Sequence, residues 1–341
     1  TSMKILKFYN VPTYSFVKKE NWLSIDKDFG VWHKKNYSFT EKTACYEVTY
    51  KSNDIGARSQ FDYLELENDN NVFIIGDSFV EGYGAHHNEI FSELLTKNTP
   101  KKGLNFGSSG HFGPVQYYLV YEKFHKLIPH NELIIFFLPA NDFLDNSIRN
   151  PLFKTKVYRP YYEKKLEDYK IFYPEGKVPK TKIKKKNLKR FAKHVLINFT
   201  YTANTLRTIN YLLFYKAKTD EDYNIFQGYF HDNKEEVDAS LHYIKKIIDL
   251  AGDIKKTMIL IPSINDLEKI YVEKLSYKEL YWFTNFEEFS EKNNIQLIDL
   301  ANFRNDYSES EKNFKSLFNK CDKHWNNKGH QFAFSKYIEN L

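Results

Sequence analysis

Three residues of the chain have the types and neighbours that nucleophilic chemistry requires. Ser78 follows the apolar run "NVFII" through Gly76 and Asp77, while Asp322 and His324 lie two residues apart near the end of the chain. A serine hydroxyl is a weak nucleophile unless a base takes its proton. A carboxylate beside an imidazole fixes the tautomer that such a base needs. These residues indicate ester chemistry in which Ser78 attacks a carbonyl, His324 acts as the base and Asp322 orients His324.

Each of these residues also has a structural alternative. Serine is a common N-cap, so Ser78 could simply begin the helix after a strand. A lone histidine is more often structural than catalytic. His330 is a rival to His324 within the same segment, although it lies inside the predicted last helix and no acidic residue closely precedes it.

Two further loops could stabilise the oxyanion of an ester reaction. The loop "NFGSSGHFG", residues 105–113, contains three glycines, which permit positive φ and close approach of backbone N–H groups. In "LPANDF", residues 138–143, the amide of Asn141 could donate a hydrogen bond to the same oxygen. The alternatives are a flexible glycine turn and an ordinary Asn-Asp turn.

The apolar runs between these loops predict the elements that position them. Strands are predicted at 71–76, 103–107, 132–138, 256–262 and 295–300. Helices are predicted at 89–97, 113–127, 234–251, 277–292 and 328–340. This alternation predicts an α/β fold with a mostly parallel sheet and helices on both faces. Because right-handed crossovers place the carboxyl ends of all strands at one edge, the candidate residues are expected to converge there.

Two regions do not follow this alternation. Residues 1–65 are aromatic-rich and are predicted to form an irregular extension packed on a domain spanning 66–341. Residues 143–231 are predicted to be an insertion, helical from about 188 to 214. Its lysines, with Tyr158, Tyr161, Tyr162, Tyr169 and Tyr173, could hold an anionic glycan or form a solvated surface. The run Tyr211–Tyr215 could form a lid over lipid or be buried.

Composition excludes several classes of function. The 341 residues carry a formal charge of +6, a mild excess, and no nucleic-acid-binding motif accompanies it. Cys45 and Cys321 are too few for a zinc cluster, and their pairing is left open. No apolar run reaches the roughly 18 residues of a membrane span. Thr1-Ser2-Met3 is typical of a cloning remnant. We therefore expect an envelope location if a leader or anchor has been removed, and a cytoplasmic one otherwise.

Taken together, the blocks resemble the SGNH (GDSL-type) hydrolase superfamily. The resemblance covers about residues 71–142 and 255–341. The blocks that carry it are Gly76-Asp77-Ser78-Phe79 with Gly82, Asn105 with Gly110, Asn141-Asp142, and Asp322 and His324 with Gly329-His330. The chain departs from the family pattern in Pro139-Ala140 before Asn141. It departs also in Asp322-Lys323-His324-Trp325, which is similar to the Asp-x-His-Trp signature of the alginate-acetyltransferase-like branch.

For the fold, the resemblance implies a three-layer sandwich with a flavodoxin-like central sheet and a large helical insertion. For the site, the resemblance implies an oxyanion hole formed by Ser78, Gly110 and Asn141, and it implies no metal and no organic cofactor. The expected activity is a serine esterase or deacylase that acts on an O-acylated carbohydrate or related small ester through an acyl-enzyme. The alternatives are an O-acyltransferase acting on a cell-envelope polysaccharide and a non-catalytic glycan-binding domain.

Overall fold

The computed structural model describes residues 22–42, 46–166, 168–174, 227–302, 314–320 and 322–341. The strands are β1 (Leu23–Asp26), β2 (Gly30–His33), β3 (Ser38–Lys42), β4 (Glu47–Lys51), β5 (Asn71–Gly76), β6 (Lys102–Gly107), β7 (Glu132–Phe137), β8 (Tyr161–Lys165), β9 (Asp168–Phe172), β10 (Lys255–Leu260) and β11 (Gln296–Asp299). The α-helices are α1 (Ser78–Glu81), α2 (Phe91–Asn98), α3 (Pro114–Phe124), α4 (Pro139–Asp145), α5 (Pro151–Lys154), α6 (Lys234–Ala251), α7 (Ile264–Leu267), α8 (Tyr281–Lys292) and α9 (Asn327–Glu339). Short 3₁₀ turns lie at His87–Glu89, Gly228–Phe230 and Phe314–Leu317, and a π-helical turn lies at Glu268–Val272.

Five strands form the central sheet in the order β11-β10-β7-β5-β6, and every neighbouring pair is parallel. Numbered by their appearance in this sheet, the strands run 2-1-3-4-5 from one edge, which is the flavodoxin-like order. The predicted α/β class and parallel sheet are confirmed, and the five predicted strands agree with the observed ones to within two residues. Because the order reverses between β5 and β7, a crevice opens at their carboxyl ends.

The sheet lies between two helical layers because its strands are apolar on both faces. Successive side chains of a strand point to opposite faces. Phe73 and Ile75 accordingly pack in a core with residues of α3, α6 and α8. Val72 and Ile74 pack in a second core with residues of α2 and α9. This arrangement is the predicted three-layer sandwich.

The described part of residues 1–65 differs from the irregular extension that we predict. It forms two antiparallel hairpins, β1–β2 and β3–β4. In β4 the buried residues Val48 and Tyr50 alternate with exposed ones, a period-2 pattern typical of a half-buried strand. The signal is short, and the aromatic residues around it obscure it.

The insertion is described only in part. Its described portion contains α5 and the antiparallel hairpin β8–β9, in which Tyr161, Tyr162 and Tyr169 are buried. The predicted helix at 188–214 and the Tyr211–Tyr215 run lie outside the described residues, as do Cys45 and Cys321. None of the described helices combines the length and apolar character needed to cross a membrane.

The close approach of α1 to β6 gives a first prediction. A Cβ on Gly107 would lie 2.2 Å from the backbone N of Glu81 and 2.6 Å from the carbonyl carbon of Val80. Since backbone must move to admit it, we expect Gly107→Ala to lower the free energy of unfolding by about 3 kcal/mol. The measurement is urea denaturation.

Gly252→Ala is the matched control for this prediction. Gly252 has φ +62°, but a Cβ there would meet nothing within 4 Å. Only conformational strain is expected there, of about 1–3 kcal/mol, because L-residues rarely adopt φ 62° with ψ −133°. A loss in Gly107→Ala of less than about 1 kcal/mol would contradict the proposed steric constraint at Gly107.

Candidate active site

Ser78 lies on a sharp turn between β5 and the single-turn helix α1. The Asp77 carboxylate caps this helix by accepting a hydrogen bond from the Phe79 N–H at 2.8 Å. Gly82, with φ 79°, ends the helix in the left-handed conformation that glycine adopts without a steric penalty. A Cβ on Gly76 would lie 2.5 Å from Val80 Cγ2. The absence of a side chain at Gly76 therefore permits this sharp turn. Ser78 is thereby presented at the carboxyl edge of the sheet.

Arg58 binds the backbone at the carboxyl end of this helix. Its guanidinium is fully buried and donates hydrogen bonds to the carbonyl oxygens of Glu81, Gly82 and Ala85 at 2.9, 2.6 and 2.8 Å. Burial lowers the pKa of Arg58, and the nearby Tyr50 and Glu81 oppose that change. The carbonyl of Glu81, the last residue of α1, is one that a short helix leaves without an internal partner, and the Gly82 carbonyl also accepts the Ala85 N–H.

The structure brings His324 to Ser78. The Ser78 Oγ lies 2.9 Å from His324 Nε2, which is hydrogen-bonding distance. The loop that carries His324 is fixed at both sides, because the His324 carbonyl accepts from the Asn319 N–H at 2.7 Å and Phe318 bridges to Trp325. The buried Trp325 ring packs edge-on against Phe79, with ring centroids 5.1 Å apart. Trp325 therefore joins the loop that carries His324 to the helix that carries Ser78.

Asp322 lies on the far side of the imidazole. Its Oδ1 is 3.5 Å from His324 Nδ1 and accepts the backbone N–H of His324 at 3.1 Å. The Nδ1 atom is buried and makes no shorter hydrogen bond with any described residue. Asp322 is thus the acid facing the imidazole, in a longer contact than a tight hydrogen bond.

Tyr46, directly before β4, holds the second oxygen of this carboxylate. Its hydroxyl donates to Asp322 Oδ2 at 3.0 Å. Burial acts to raise the pKa of Asp322, but hydrogen bonds from His324 and Tyr46 and the attraction of His324 outweigh it, so that the pKa lies below its usual value. The carboxylate is consequently ionised when it faces the imidazole.

Ser78, Gly110 and Asn141 line one cavity of about 580 Å³, together with Asp322 and His324. Gly110 has φ 99°, a conformation that favours glycine. The glycine loop follows β6, where the side chain of Asn105 accepts from the Gly107 N–H and donates to the Val80 carbonyl, both at 2.9 Å. Asn105 thus fixes the start of the loop to the nucleophile helix.

A group of buried acids lies beside the nucleophile. The pKa of Asp77 is raised to about 7, chiefly by burial and also by the charge of Asp145, while the hydrogen bond from the Phe79 N–H, the attraction of His324 and the nearby Asn141 amide oppose the rise. Burial and the charge of Asp77 also raise the pKa of Asp142. Near neutral pH these carboxyl groups retain protons that exposed ones would have lost.

His330 is the candidate that the structure separates from the site. It lies within α9, is 1% exposed, and packs edge-on against Trp325 with ring centroids 5.6 Å apart. Burial lowers its pKa to about 3, with a further contribution from the charge of Arg58. His330 therefore packs as a neutral core residue.

Sequence reasoning missed the residues that the N-terminal hairpins contribute. Trp22, Leu23, Phe39 and Glu41 line the cavity, and Tyr46 contacts Asp322. Tyr83, after α1, also lines it, with its ring 4.9 Å from that of His324. The blocks that carry the resemblance contain none of these hairpin residues, and the only sequence signal near them is the short alternation in β4. None of the five tyrosines named in the insertion lines the cavity.

Within the described residues, no group of three or more His, Cys, Asp or Glu side chains is arranged to hold a metal.

The chain is similar to the crystal structure of a member of the lipolytic protein G-D-S-L family from Veillonella parvula DSM 2008, at 12% identity and a TM-score of 0.39, over 79% of this chain and 96% of the other. No family model and no curated protein matches the chain. A TM-score this low carries no argument about function, so the functional assignment rests on the geometry of the site.

The Tyr46 contact gives a second prediction. Tyr46→Phe removes one hydrogen bond to the ionised Asp322 carboxylate, so the pKa of Asp322 should rise. A ¹³C NMR titration of the aspartate side-chain carboxyl carbons measures the pKa of Asp322. Tyr118→Phe is the control, because the Tyr118 hydroxyl donates to Glu122 and not to Asp322. In this variant the pKa of Asp322 should not change. An unaltered Asp322 titration in Tyr46→Phe would contradict the role given to this hydroxyl.

The raised pKa of Asp77 gives a third prediction, for stability. The folded protein keeps the Asp77 proton up to about pH 7, whereas the unfolded chain releases it near its ordinary value of 3.8. Stability contributed by this group is therefore lost as pH rises between those values. Asn at position 77 keeps the helix cap and does not titrate.

We accordingly expect Asp77→Asn to be more stable relative to the unchanged protein at about pH 8 than at about pH 4. Thermal and urea unfolding at a series of pH values measure the difference. The exposed Asp249→Asn should show no such trend. A constant difference between Asp77→Asn and the unchanged protein across the series would show that Asp77 is already ionised when folded.

Proposed function

We propose that the protein is a serine esterase or deacylase that removes an acyl group, in the first place acetyl, from an O-acylated carbohydrate or related ester through an acyl-enzyme. The observation that carries the proposal is the 2.9 Å contact between Ser78 Oγ and His324 Nε2 at the wall of a cavity. A hydroxyl hydrogen-bonded to an imidazole is the arrangement that makes serine nucleophilic.

In the proposed reaction, Ser78 Oγ attacks the ester carbonyl while His324 Nε2 takes its proton. The tetrahedral intermediate collapses by breaking the bond to the alcohol oxygen, and the imidazolium returns the proton to that oxygen. Water then attacks the acyl-serine, again with His324 as base, and releases the acid and free Ser78. The ionised Asp322 stabilises the imidazolium in both steps.

The oxyanion is held, in this proposal, by the backbone N–H groups of Ser78 and Gly110 and by the Asn141 amide. Their position along one cavity supports this assignment. Loss of a single donor of this kind typically removes about 3 kcal/mol of transition-state stabilisation. The Asn141 side chain lies near Asp77 and acts to lower the pKa of that carboxyl.

Acyl transfer to a sugar hydroxyl is the second candidate. A cavity of about 580 Å³ exceeds what an acetyl group needs, and aromatic side chains in its wall offer surfaces on which a sugar ring can stack. The block Asp322-Lys323-His324-Trp325, similar to the alginate-acetyltransferase-like signature, favours the same reaction. The chemistry up to the acyl-enzyme is identical, and the acceptor decides the outcome.

Replacing the nucleophile is the fourth prediction. We expect Ser78→Ala to lower the hydrolysis rate of 4-nitrophenyl acetate by at least about 10³-fold and to abolish labelling by a fluorophosphonate probe. Ser109→Ala is the matched control, because Ser109 lines the same cavity and has no assigned role. It should retain labelling and most activity.

Two outcomes would decide against the proposal. Hydrolysis by Ser78→Ala at the rate of the unchanged protein would remove Ser78 from the mechanism. Failure of the unchanged protein both to hydrolyse the ester and to be labelled would favour the non-catalytic glycan-binding domain. To separate hydrolysis from transfer, acetyl release from acetylated glycans is measured with and without an acceptor sugar.

A further inference from the structure

The cavity beside Ser78 is acidic. Among the described residues that line it, the ionisable acids outnumber the bases, and neither lysine nor arginine is present. The acids are Glu41, Asp77, Asp145 and Asp322, of which Asp77 keeps its proton up to about pH 7, and the basic side chains in the described lining are His111 and His324. Carboxylates grouped around a concave site with low-dielectric walls concentrate a negative potential inside it.

Asp145, at the end of α4, is the acid that the proposed catalytic steps leave unused. Its side chain is 1% exposed, and its Oδ1 lies 3.4 Å from His111 Nδ1 and 4.0 Å from Arg159 Nη1. Its Oδ2 accepts no hydrogen bond from any described residue. Buried polar atoms without a partner are rare in folded proteins and call for an explanation.

The permanent positive charge near Asp145, on Arg159, lies outside the cavity lining, whereas the imidazole of His111 is part of that lining. Arg159 Nη2 donates to the His111 carbonyl. Asp77 Oδ2 likewise has no partner among the described residues, and the charge of Asp145 acts on Asp77 strongly enough to contribute to its raised pKa. The potential of Asp145 therefore reaches the nucleophile turn itself.

The remaining wall is aromatic. Trp22, Phe39, Tyr83 and Phe112 line the cavity together with these acids. A cation gains both from carboxylates and from the faces of aromatic rings, which attract ammonium groups. An anion would be repelled by the acids and would find no lysine or arginine among the described lining residues.

We propose that this cavity selects esters that carry a positively charged amine or quaternary ammonium group over neutral and anionic esters of the same shape, with Asp145 as a specificity-determining residue. This inference rests on the proposed esterase function and narrows its substrate class. It disfavours the anionic glycan that the lysines of the insertion suggest.

The test uses three acetyl thioesters that release a thiol measured by a colour reagent. They are the cationic acetylthiocholine, its neutral isostere 3,3-dimethylbutyl thioacetate, and the anionic 2-(acetylthio)ethanesulfonate. We expect kcat/KM to fall in that order, by about tenfold at each step at low salt. The preference should shrink as ionic strength rises, because salt screens the charges.

Asp145→Asn keeps the shape of the side chain and removes its charge. We expect the ratio of kcat/KM for the cationic and neutral thioesters to fall at least about threefold in this variant. The exposed Glu163→Gln, on the β8–β9 hairpin, is the matched control and should leave the ratio unchanged. If Asp145→Asn does not fold, the salt dependence of the unchanged protein decides the test.

The failures of the two proposals are distinguishable. Hydrolysis of the neutral thioester without preference for the cationic one would overturn the charge selectivity while leaving the esterase intact. Equal ratios in Asp145→Asn and the unchanged protein would remove Asp145 from that selectivity. Hydrolysis of none of the three thioesters, together with absence of fluorophosphonate labelling, would overturn the proposed function itself.

Discussion

The proposed site depends on a helix too short to be stable by itself. A single turn such as α1 fixes several backbone angles in exchange for few hydrogen bonds, so it forms only when the surrounding structure holds it. Three contacts do so: the Asp77 cap at its start, the left-handed Gly82 at its end, and the three carbonyl bonds from the buried Arg58. Gly107 allows β6 to approach the same helix. The position of the Ser78 hydroxyl is thus set by residues that would not themselves take part in the chemistry.

The same turn carries an electrostatic cost. Three carboxyl groups, Asp77, Asp142 and Asp145, are buried near one another, and burial with mutual repulsion raises the pKa of the first two. The fold offsets part of this cost with hydrogen bonds, since Asp142 accepts from the Tyr117 hydroxyl at 2.9 Å and from the Leu138 N–H at 2.8 Å. Asp142 thereby fixes the start of α4, the helix that carries Asn141. Structural bonds explain Asp142, but they leave an oxygen of Asp77 and one of Asp145 without partners among the described residues, and such exceptions to polar satisfaction are expected mainly at functional sites.

The sheet and the loops that carry the candidate site residues could be predicted because each has a local signal. Continuous apolar runs indicated the strands, and the parallel order brought the carboxyl ends of β5, β6 and β7 to one edge. The convergence of Ser78, Gly110, Asn141, Asp322 and His324 on one cavity agrees with that topology. Tyr46 and Asp145 could not be predicted in the same way. Tyr46 meets Asp322 across 276 residues of chain, and no spacing in the sequence records a contact between a hairpin and a distant loop. In the sequence, Asp145 is one acidic residue among several, and nothing near it indicates that its side chain is buried.

The contribution of the hairpins has a consequence for specificity. The proposed nucleophile, base and oxyanion donors all come from the α/β core, whereas Trp22 and Phe39 of the cavity wall, and Tyr46, come from the hairpin region. In the proposed function, chemistry and substrate choice are therefore carried by different parts of the chain, as is usual when binding surfaces are added to a rigid scaffold. Tyr46 links the two parts because it belongs to the hairpin region and yet helps to set the charge of Asp322. A change in the hairpins would alter the shape of the cavity and, through that hydroxyl, the acid that faces the imidazole. The four sequence blocks alone consequently cannot determine what the site accepts.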